Sequence, residues 1–167
     1  MLAEVTYQLG NGFLLSFMLF LITLIIALPL GLLISFCTMS KFAPLRVFFK
    51  VIVWVLRGTP LMLQLIIVFF APYYVFGMSL SADYRFIAVI IAFTINYAAY
   101  FAEIYRGGIE SINSGQYEAA QVLGYSKLET FFIIIMPQVF KVILPSVTNE
   151  VITLVKDTSL SFVIAIP

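Results

Sequence analysis

The sequence has no histidine, a single cysteine and few charges. Its 167 residues include 9 Lys and Arg and 8 Asp and Glu, and this charged share of 10% is well below the roughly 25% of soluble domains. Chemistry based on histidine is excluded, and Cys37 alone provides neither a disulfide framework nor a Cys/His metal site. The net charge of +1 comes without a basic stretch, so nucleic acid is not expected as a partner.

Apolar residues make up 63% of the chain, and the mean hydropathy is +1.12. Such a composition requires lipid as the solvent. Four apolar stretches are long enough to cross a core of about 30 Å, which takes about 20 helical residues: residues 13–37, 51–76, 86–105 and 138–162. All four are predicted to be helices, because in hydrocarbon each segment must satisfy its own backbone polar groups.

The first stretch is predicted to be a retained spanning helix and not a cleaved leader. No Lys or Arg precedes it, and its apolar run of about 25 residues exceeds the roughly 7–15 of a signal-peptide core.

The distribution of basic residues predicts the orientation. Lys41, Arg46 and Lys50 follow the first stretch, whereas the connection 77–85 has only Arg85, offset by Asp83. Because cytoplasmic connections carry the excess of Lys and Arg, the N-terminus is predicted to be outside. Four crossings then leave the C-terminal end outside as well.

The segment 107–137 differs from the rest because much of it is polar, and it is predicted to lie in the cytoplasm. A short amphipathic helix is expected within it, capped at Ser114-Gly115. Its small residues Ala119, Ala120 and Gly124 would let another surface approach closely. No repeat or linker divides the chain, so residues 1–167 are predicted to form a single domain.

The same segment carries the most specific pattern. Glu118-Ala119-Ala120 is followed by three residues, Gly124, nine residues and Ile134-Ile135-Met136-Pro137. This resembles the EAA motif of ABC importer permeases, in which a Leu usually stands where Met136 is. Further blocks resemble the polar amino-acid branch of these permeases, for histidine, glutamine, arginine and cystine: Arg57-Gly58-Thr59-Pro60-Leu61 with Gln64, Ala102 to Ile109, and Lys156-Asp157-Thr158-Ser159-Leu160.

The resemblance implies an all-α, polytopic transmembrane bundle of the ABC importer permease type in a bacterial plasma (inner) membrane, surrounded by lipid. Residues Glu118, Ala119, Ala120, Gly124 and Pro137 would couple this bundle to separate ATPase subunits. A surface-lying linker helix is the alternative for this segment. The family usually has a fifth helix after the fourth, so either the chain is truncated or a partner supplies that packing.

The resemblance also implies the partners: an identical or related permease, an external binding protein and a polar amino acid. The sequence has no G-x-x-x-x-G-K-[ST] phosphate loop. We therefore expect no enzymatic activity and no cofactor in this chain, with ATP and Mg on the ATPase subunit.

A second pattern lies within the fourth stretch, where charges are costly and indicate function. Glu150, Thr153 and Asp157 fall on one helix face, and the two carboxylates are predicted to bind a cationic group of the substrate. In the alternative interpretation, Lys156 or Arg57 neutralises the acids and Asp157 caps or gates, since buried ions are usually paired.

Further predictions concern other polar residues near the path. Asn96 either contacts substrate or bonds to a neighbouring helix. Arg57 lies where Gly58 and Pro60 interrupt a helix, so it is either part of a gate or a cytoplasmic anchor. Thr158 and Ser159 are assigned to the gate or path because the resemblance implies that the last helix lines it.

Together these features predict the membrane subunit of an ATP-driven importer that moves a polar amino acid, with basic amino acids among the candidates, inward by alternating access. An ion-coupled secondary transporter would use the same buried acids, and a membrane scaffold would use only the cytoplasmic helix. Neither alternative needs both the buried acids and the cytoplasmic helix.

Overall fold

The computed structural model describes residues 2–79 and 82–164, and every regular element in those ranges is a helix. The α-helices are α1 (Leu2–Thr38), α2 (Ala43–Gly58), α3 (Leu61–Phe76), α4 (Ala82–Glu110), α5 (Ser114–Val122), α6 (Lys127–Glu129) and α7 (Met136–Asp157). A π-helix, Thr130–Ile135, joins α6 to α7, and a 3₁₀-helix, Thr158–Ile164, follows α7.

Helix α4 is the centre of the bundle and packs against α1, α2, α3 and α7. The buried share of its apolar span is 61%, against 22% for the spans that contain α1 and α7. Small and aromatic side chains alternate along its buried face, including Ala92, Phe93, Tyr97 and Phe101. The outer helices expose many large apolar side chains, as helices facing lipid or partner subunits do.

Two glycines allow this close packing. A Cβ on Gly31 of α1 would lie 2.7 Å from Cβ of Phe101 and 3.0 Å from the carbonyl oxygen of Ala98. A Cβ on Gly108 of α4 would overlap with Cγ2 of Ile143 in α7. Because helix pairs in lipid associate through small residues at the contact, these positions set how near α1 and α7 come to α4.

The predicted span 51–76 is not one continuous helix, and the interruption lies where Gly58 and Pro60 predicted it. The structure has two helices there, α2 and α3, whose axes are bent by 109° at the break. Thr59 is extended (φ −115°, ψ 143°), as the residue before a proline prefers to be. Pro60 lacks an N–H and cannot continue the hydrogen bonding of α2.

Two amides satisfy the backbone at this break. The Gln64 side chain donates to the carbonyl oxygens of Leu56 at 2.7 Å and Thr59 at 3.2 Å, and to the Thr59 hydroxyl at 2.8 Å. Asn96 of α4 donates to Oε1 of Gln64 at 3.1 Å and to the Leu56 carbonyl at 3.4 Å. Non-helical backbone within a membrane needs such hydrogen-bond partners. The side chains around the break therefore stabilise it.

The expected short helix of the polar segment is α5, although its cap lies one residue earlier than predicted. The Asn113 side chain accepts from the backbone N–H of Gly115 at 2.8 Å. At the other end Gly124 has φ +83°, and the Tyr125 N–H donates to the Ala120 carbonyl at 3.0 Å. This is a Schellman end, in which glycine carries the left-handed conformation at the lowest cost.

The last apolar helix is longer than the predicted 138–162. Helices α6, π and α7 join with the start of the 3₁₀-helix into Lys127–Ser161, and its N-terminus carries a capping box between Ser126 and Glu129. By length and composition, three helices of the described ranges suit a membrane span, or four when the bent pair is counted as one. The outward N-terminus remains a prediction.

Candidate functional site

A cavity of about 360 Å³ lies where the α2–α3 break meets α4 and α7; we call it the acidic cavity. Each of these elements contributes part of the lining: Thr59, Pro60, Leu61 and Met62 from the break, Asn96, Tyr97 and Tyr100 from α4, Glu150, Thr153 and Asp157 from α7, and Leu160 beyond it. The structure thus brings all four sequence-predicted substrate residues to one cavity.

The two acids of α7 differ in their surroundings. Asp157 accepts a hydrogen bond from the Tyr97 hydroxyl at 2.7 Å from Oδ2. Glu150 is half-buried, and in the described part of the chain it has no hydrogen bond or ion pair. The Thr153 hydroxyl donates to the Asn149 carbonyl of its own helix at 3.0 Å. Glu150 therefore keeps the most acceptor capacity for a ligand.

Neither predicted counter-ion pairs with these acids. Within the described ranges, Lys156 is exposed and forms no ion pair. Nη1 of Arg57 instead lies 3.7 Å from Oε1 of Glu103 on α4. The acidic cavity thus has two carboxylates, and no described residue forms a salt bridge with either of them.

Asn96 has contacts that fit both interpretations of its role. It is 4% exposed, and its amide N–H groups go to Gln64 and Leu56 at the break, so it fastens α4 to a neighbouring helix. It also lines the acidic cavity. Contact with a substrate remains a prediction for this residue.

Arg57 lies in the wall between the acidic cavity and a second cavity of about 310 Å³. Its guanidinium carbon is 5.3 Å from the ring centroid of Tyr100, and its carbonyl accepts from the Tyr100 hydroxyl at 3.4 Å. Tyr100 lines the acidic cavity, and Arg57 lines the second one. The cation–π contact therefore stands between the two spaces.

Thr158 and Ser159 do not line the acidic cavity. The Thr158 hydroxyl is buried and donates to the Val155 carbonyl at 2.8 Å. The exposed Ser159 donates to the Lys156 carbonyl at 2.8 Å. Both hydroxyls are used within the end of their own helix, and their assignment to a gate or path remains a prediction.

The predicted coupling residues have different environments. Glu118, Ala119 and Pro137 are exposed, whereas Ala120 is 1% exposed and packs inside the chain. Ala120 therefore cannot belong to the small-residue docking surface expected from the sequence in this conformation. Gly124 is required by its positive φ, with open space around it. Both belong to the local structure that holds α5.

Several residues of these sites were missed or underrated from the sequence. Tyr100 was not singled out, although its spacing of three from Tyr97 predicts a shared helix face. The apolar residues Val122 and Leu123 are 87% and 73% exposed at the end of α5. Their presence in a polar segment is the signal that would have identified them.

The family described as "Binding-protein-dependent transport system inner membrane component" matches residues 27–167. A putative glutamine transport system permease of Rickettsia conorii is 39% identical over 139 residues, 83% of this chain and 62% of that protein. An L-cystine transport system permease of Bacillus subtilis is 39% identical over 92% of this chain and 64% of its own length. The chain thus spans less than two thirds of both relatives.

An arginine transport system permease of Bacillus subtilis is 37% identical, over 93% of this chain and 70% of that protein. Among solved structures, the crystal structure of an amino acid ABC transporter with histidines has a TM-score of 0.86 at 34% identity. It covers 99% of this chain and 76% of the other. The inward-facing MetNI methionine ABC transporter has a TM-score of 0.64 at 19% identity, covering 93% and 71%, and supports the fold alone.

Proposed function

Since the chain belongs to the family of inner membrane components of binding-protein-dependent transport systems, we propose that it is the membrane-spanning subunit of an ATP-driven importer for a polar, preferably basic, amino acid. The substrate enters from an external binding protein and crosses by alternating access between this chain and an identical or related permease. ATP and Mg bind to separate ATPase subunits. Relatives named for glutamine, cystine and arginine transport support this substrate class.

The observation that carries the proposal is the acidic cavity with two carboxylates that form no ion pair with any described residue. A cationic group of the substrate, either the α-ammonium or a basic side chain, binds Glu150 through charge-assisted hydrogen bonds. Asp157, held by Tyr97, adds negative charge beside it. Because neither acid forms a salt bridge with a described residue, the substrate supplies the cationic partner.

The broken helix supports the same substrate class from the opposite side of the cavity. Helix α3 begins without a side-chain cap, and its first residues, Leu61 and Met62, line the cavity. The partial positive charge at a helix N-terminus favours a carboxylate, as in transporters with discontinuous helices. An amino acid bound with its ammonium toward the acids of α7 and its carboxylate toward the N-terminus of α3 has a favourable partner for each charge.

Arg57 and Tyr100 form the inner gate in this proposal. Their contact separates the acidic cavity from the second cavity, and Glu103 holds the guanidinium on the far side. The α2–α3 break lies two residues beyond Arg57. A rotation of α2 at the break therefore moves Arg57 away from Tyr100 and opens the way inward.

Helix α5 transmits the motion of the ATPase to the bundle. Its exposed surface presents Glu118 and Ala119, followed by Val122 and Leu123. Exposed apolar residues of this size in a cytoplasmic segment favour a protein partner. The Tyr125–Ala120 hydrogen bond and the capping box at Ser126 connect α5 firmly to the helix that leads into α7.

The test is transport by the full chain reconstituted in vesicles with its ATPase and binding protein. We expect uptake of a basic or amide amino acid that requires ATP, together with stimulation of ATP hydrolysis by the loaded binding protein. Uptake driven by a proton or sodium gradient without ATP would instead establish the ion-coupled carrier.

A further inference from the structure

The second cavity, beyond Arg57, carries an excess of positive charge. It lies between the end of α1, the C-terminal half of α2 and the inner end of α4. Lys50, Arg57 and Arg106 line it, and Glu103 is the single carboxylate among the described residues of the lining. We call it the basic cavity.

The carboxylates beside the basic cavity do not neutralise all of its positive charge. Arg106 pairs with Glu103 and with Glu110 on its own helix. Among the described residues, the ion pairing of Arg57 is limited to a 3.7 Å contact with the same Glu103. Lys50 is exposed and, within the described ranges, forms no ion pair. Lys50 and the outer face of Arg57 therefore have donors available for an anion.

The surroundings of the basic cavity are those of a membrane interface. Trp54, which is 77% exposed, lines it beside Lys50 and Arg57. The neighbouring outer face of α2 is apolar and exposed, with Phe48 at 59% and Val51 at 52%. The Lys and Arg distribution predicts that this end of the bundle is cytoplasmic. Tryptophan is enriched at the headgroup level, and basic pockets between helices on this side bind anionic headgroups.

We propose that the basic cavity binds the phosphate group of an anionic phospholipid of the cytoplasmic leaflet. Lys50 and Arg57 donate to the phosphate oxygens, Trp54 lies along the headgroup, and the acyl chains follow the apolar face of α2. A free phosphate ion offers the same oxygens but would not contact Trp54 or that apolar face. The bound headgroup also competes with Glu103 for Arg57, which places the lipid at the proposed inner gate.

Lipid binding is measured on the purified full chain in a zwitterionic detergent, titrated with short-chain phosphatidylglycerol. Lys50→Gln is expected to weaken binding about fivefold, the effect of one basic residue near an anionic headgroup. Arg46→Gln is the matched control, because it removes the same charge from the same helix outside the cavity. It should leave the affinity unchanged, and Lys50→Arg should retain it.

Two further arms identify the ligand. Phosphatidylcholine should bind at least tenfold more weakly than phosphatidylglycerol, and inorganic phosphate should not displace the lipid at equal concentration. Trp54→Ala should weaken binding of the lipid. Equal losses in Arg46→Gln and Lys50→Gln would overturn the site in favour of general surface charge. Displacement by inorganic phosphate, or no preference over phosphatidylcholine, would overturn the lipid as its occupant. A melting curve of each variant ensures that only folded protein is compared.

Discussion

The hydroxyl of Tyr97 on α4 donates to Oδ2 of Asp157 on α7 at 2.7 Å. This bond ties together the two helices that flank the acidic cavity, and it gives Asp157 a hydrogen-bond partner, whereas Glu150 has none among the described residues. The two acids of one helix face are therefore not equivalent. Glu150 is the freer ligand for a cation, and Asp157 has both a structural contact and a charge.

Glu150→Gln removes the charge with almost no change of shape. The loss of a charge-assisted hydrogen bond, roughly 1.5–3 kcal/mol, should weaken the apparent affinity for substrate on the order of tenfold to a hundredfold. The melting temperature should stay unchanged, because Glu150 holds no other described residue. Uptake and thermal unfolding of the same preparations provide the measurement.

Tyr97→Phe is the control for this prediction, since it removes only the bond to Asp157. We expect it to lower stability by about 1 kcal/mol, the range of hydrogen bonds between membrane helices, with a smaller change in affinity. If Glu150→Gln lowered the melting temperature and left the affinity intact, the acids would hold helices together and the substrate would bind elsewhere.

The gate is tested at Tyr100. Tyr100→Leu removes the ring under Arg57 and should allow the substrate to leak through the reconstituted importer without ATP, since a cation–π contact of about 0.5–2 kcal/mol is lost. Tyr100→Phe retains the ring and should remain tight. Leak rates in vesicles loaded with labelled amino acid compare the two, and equal tightness would rule out this contact as the barrier.

The coupling surface is tested at two adjacent alanines. Ala119→Trp adds bulk on the exposed face of α5, so the chain should fold normally but lose substrate-stimulated ATP hydrolysis. Ala120→Trp adds the same bulk at a buried position and should destabilise the chain itself by about 1–3 kcal/mol. ATPase retention on the purified permease and the melting temperature separate these effects. Normal coupling in Ala119→Trp would remove α5 from the ATPase interface.

The orientation is tested with a cysteine at Ser114, which is exposed next to the cap of α5. In a Cys37→Ser background, Ser114→Cys should react with an impermeant thiol reagent only after the membrane has been opened. A cysteine at Tyr74, exposed near the end of α3, is predicted to react in intact cells. The reverse labelling pattern would place α5 outside and end its coupling role.

The packing of α1 on α4 is tested at Gly31. Gly31→Ala places a methyl group 2.7 Å from Cβ of Phe101 and near backbone atoms, so we expect a loss of about 1–3 kcal/mol. Gly12→Ala on the same helix meets nothing within 4 Å and should not destabilise the chain, because alanine favours a helix over glycine. Thermal unfolding in detergent measures both, and equal melting temperatures would contradict the close α1–α4 contact.

The sequence by itself determined the class of the molecule, because hydropathy and helix length respond to the membrane whatever the tertiary contacts are. It also determined the membership of the family through Glu118, Gly124 and Pro137, whose spacing is local. The polar face of α7 was predictable for the same reason, since helical periodicity alone places Glu150 and Asp157 together.

Only the tertiary structure decided what those residues contact. Gly58 and Pro60 predicted an interruption near Thr59 but not the bend of 109°, because the bend depends on how Gln64 of α3 and Asn96 of α4 satisfy the freed backbone. Ala120 is buried and Ala119 is exposed because α5 packs on the helix that follows it. Asp157 meets Tyr97 across 60 positions of sequence, a distance over which no local pattern specifies a partner.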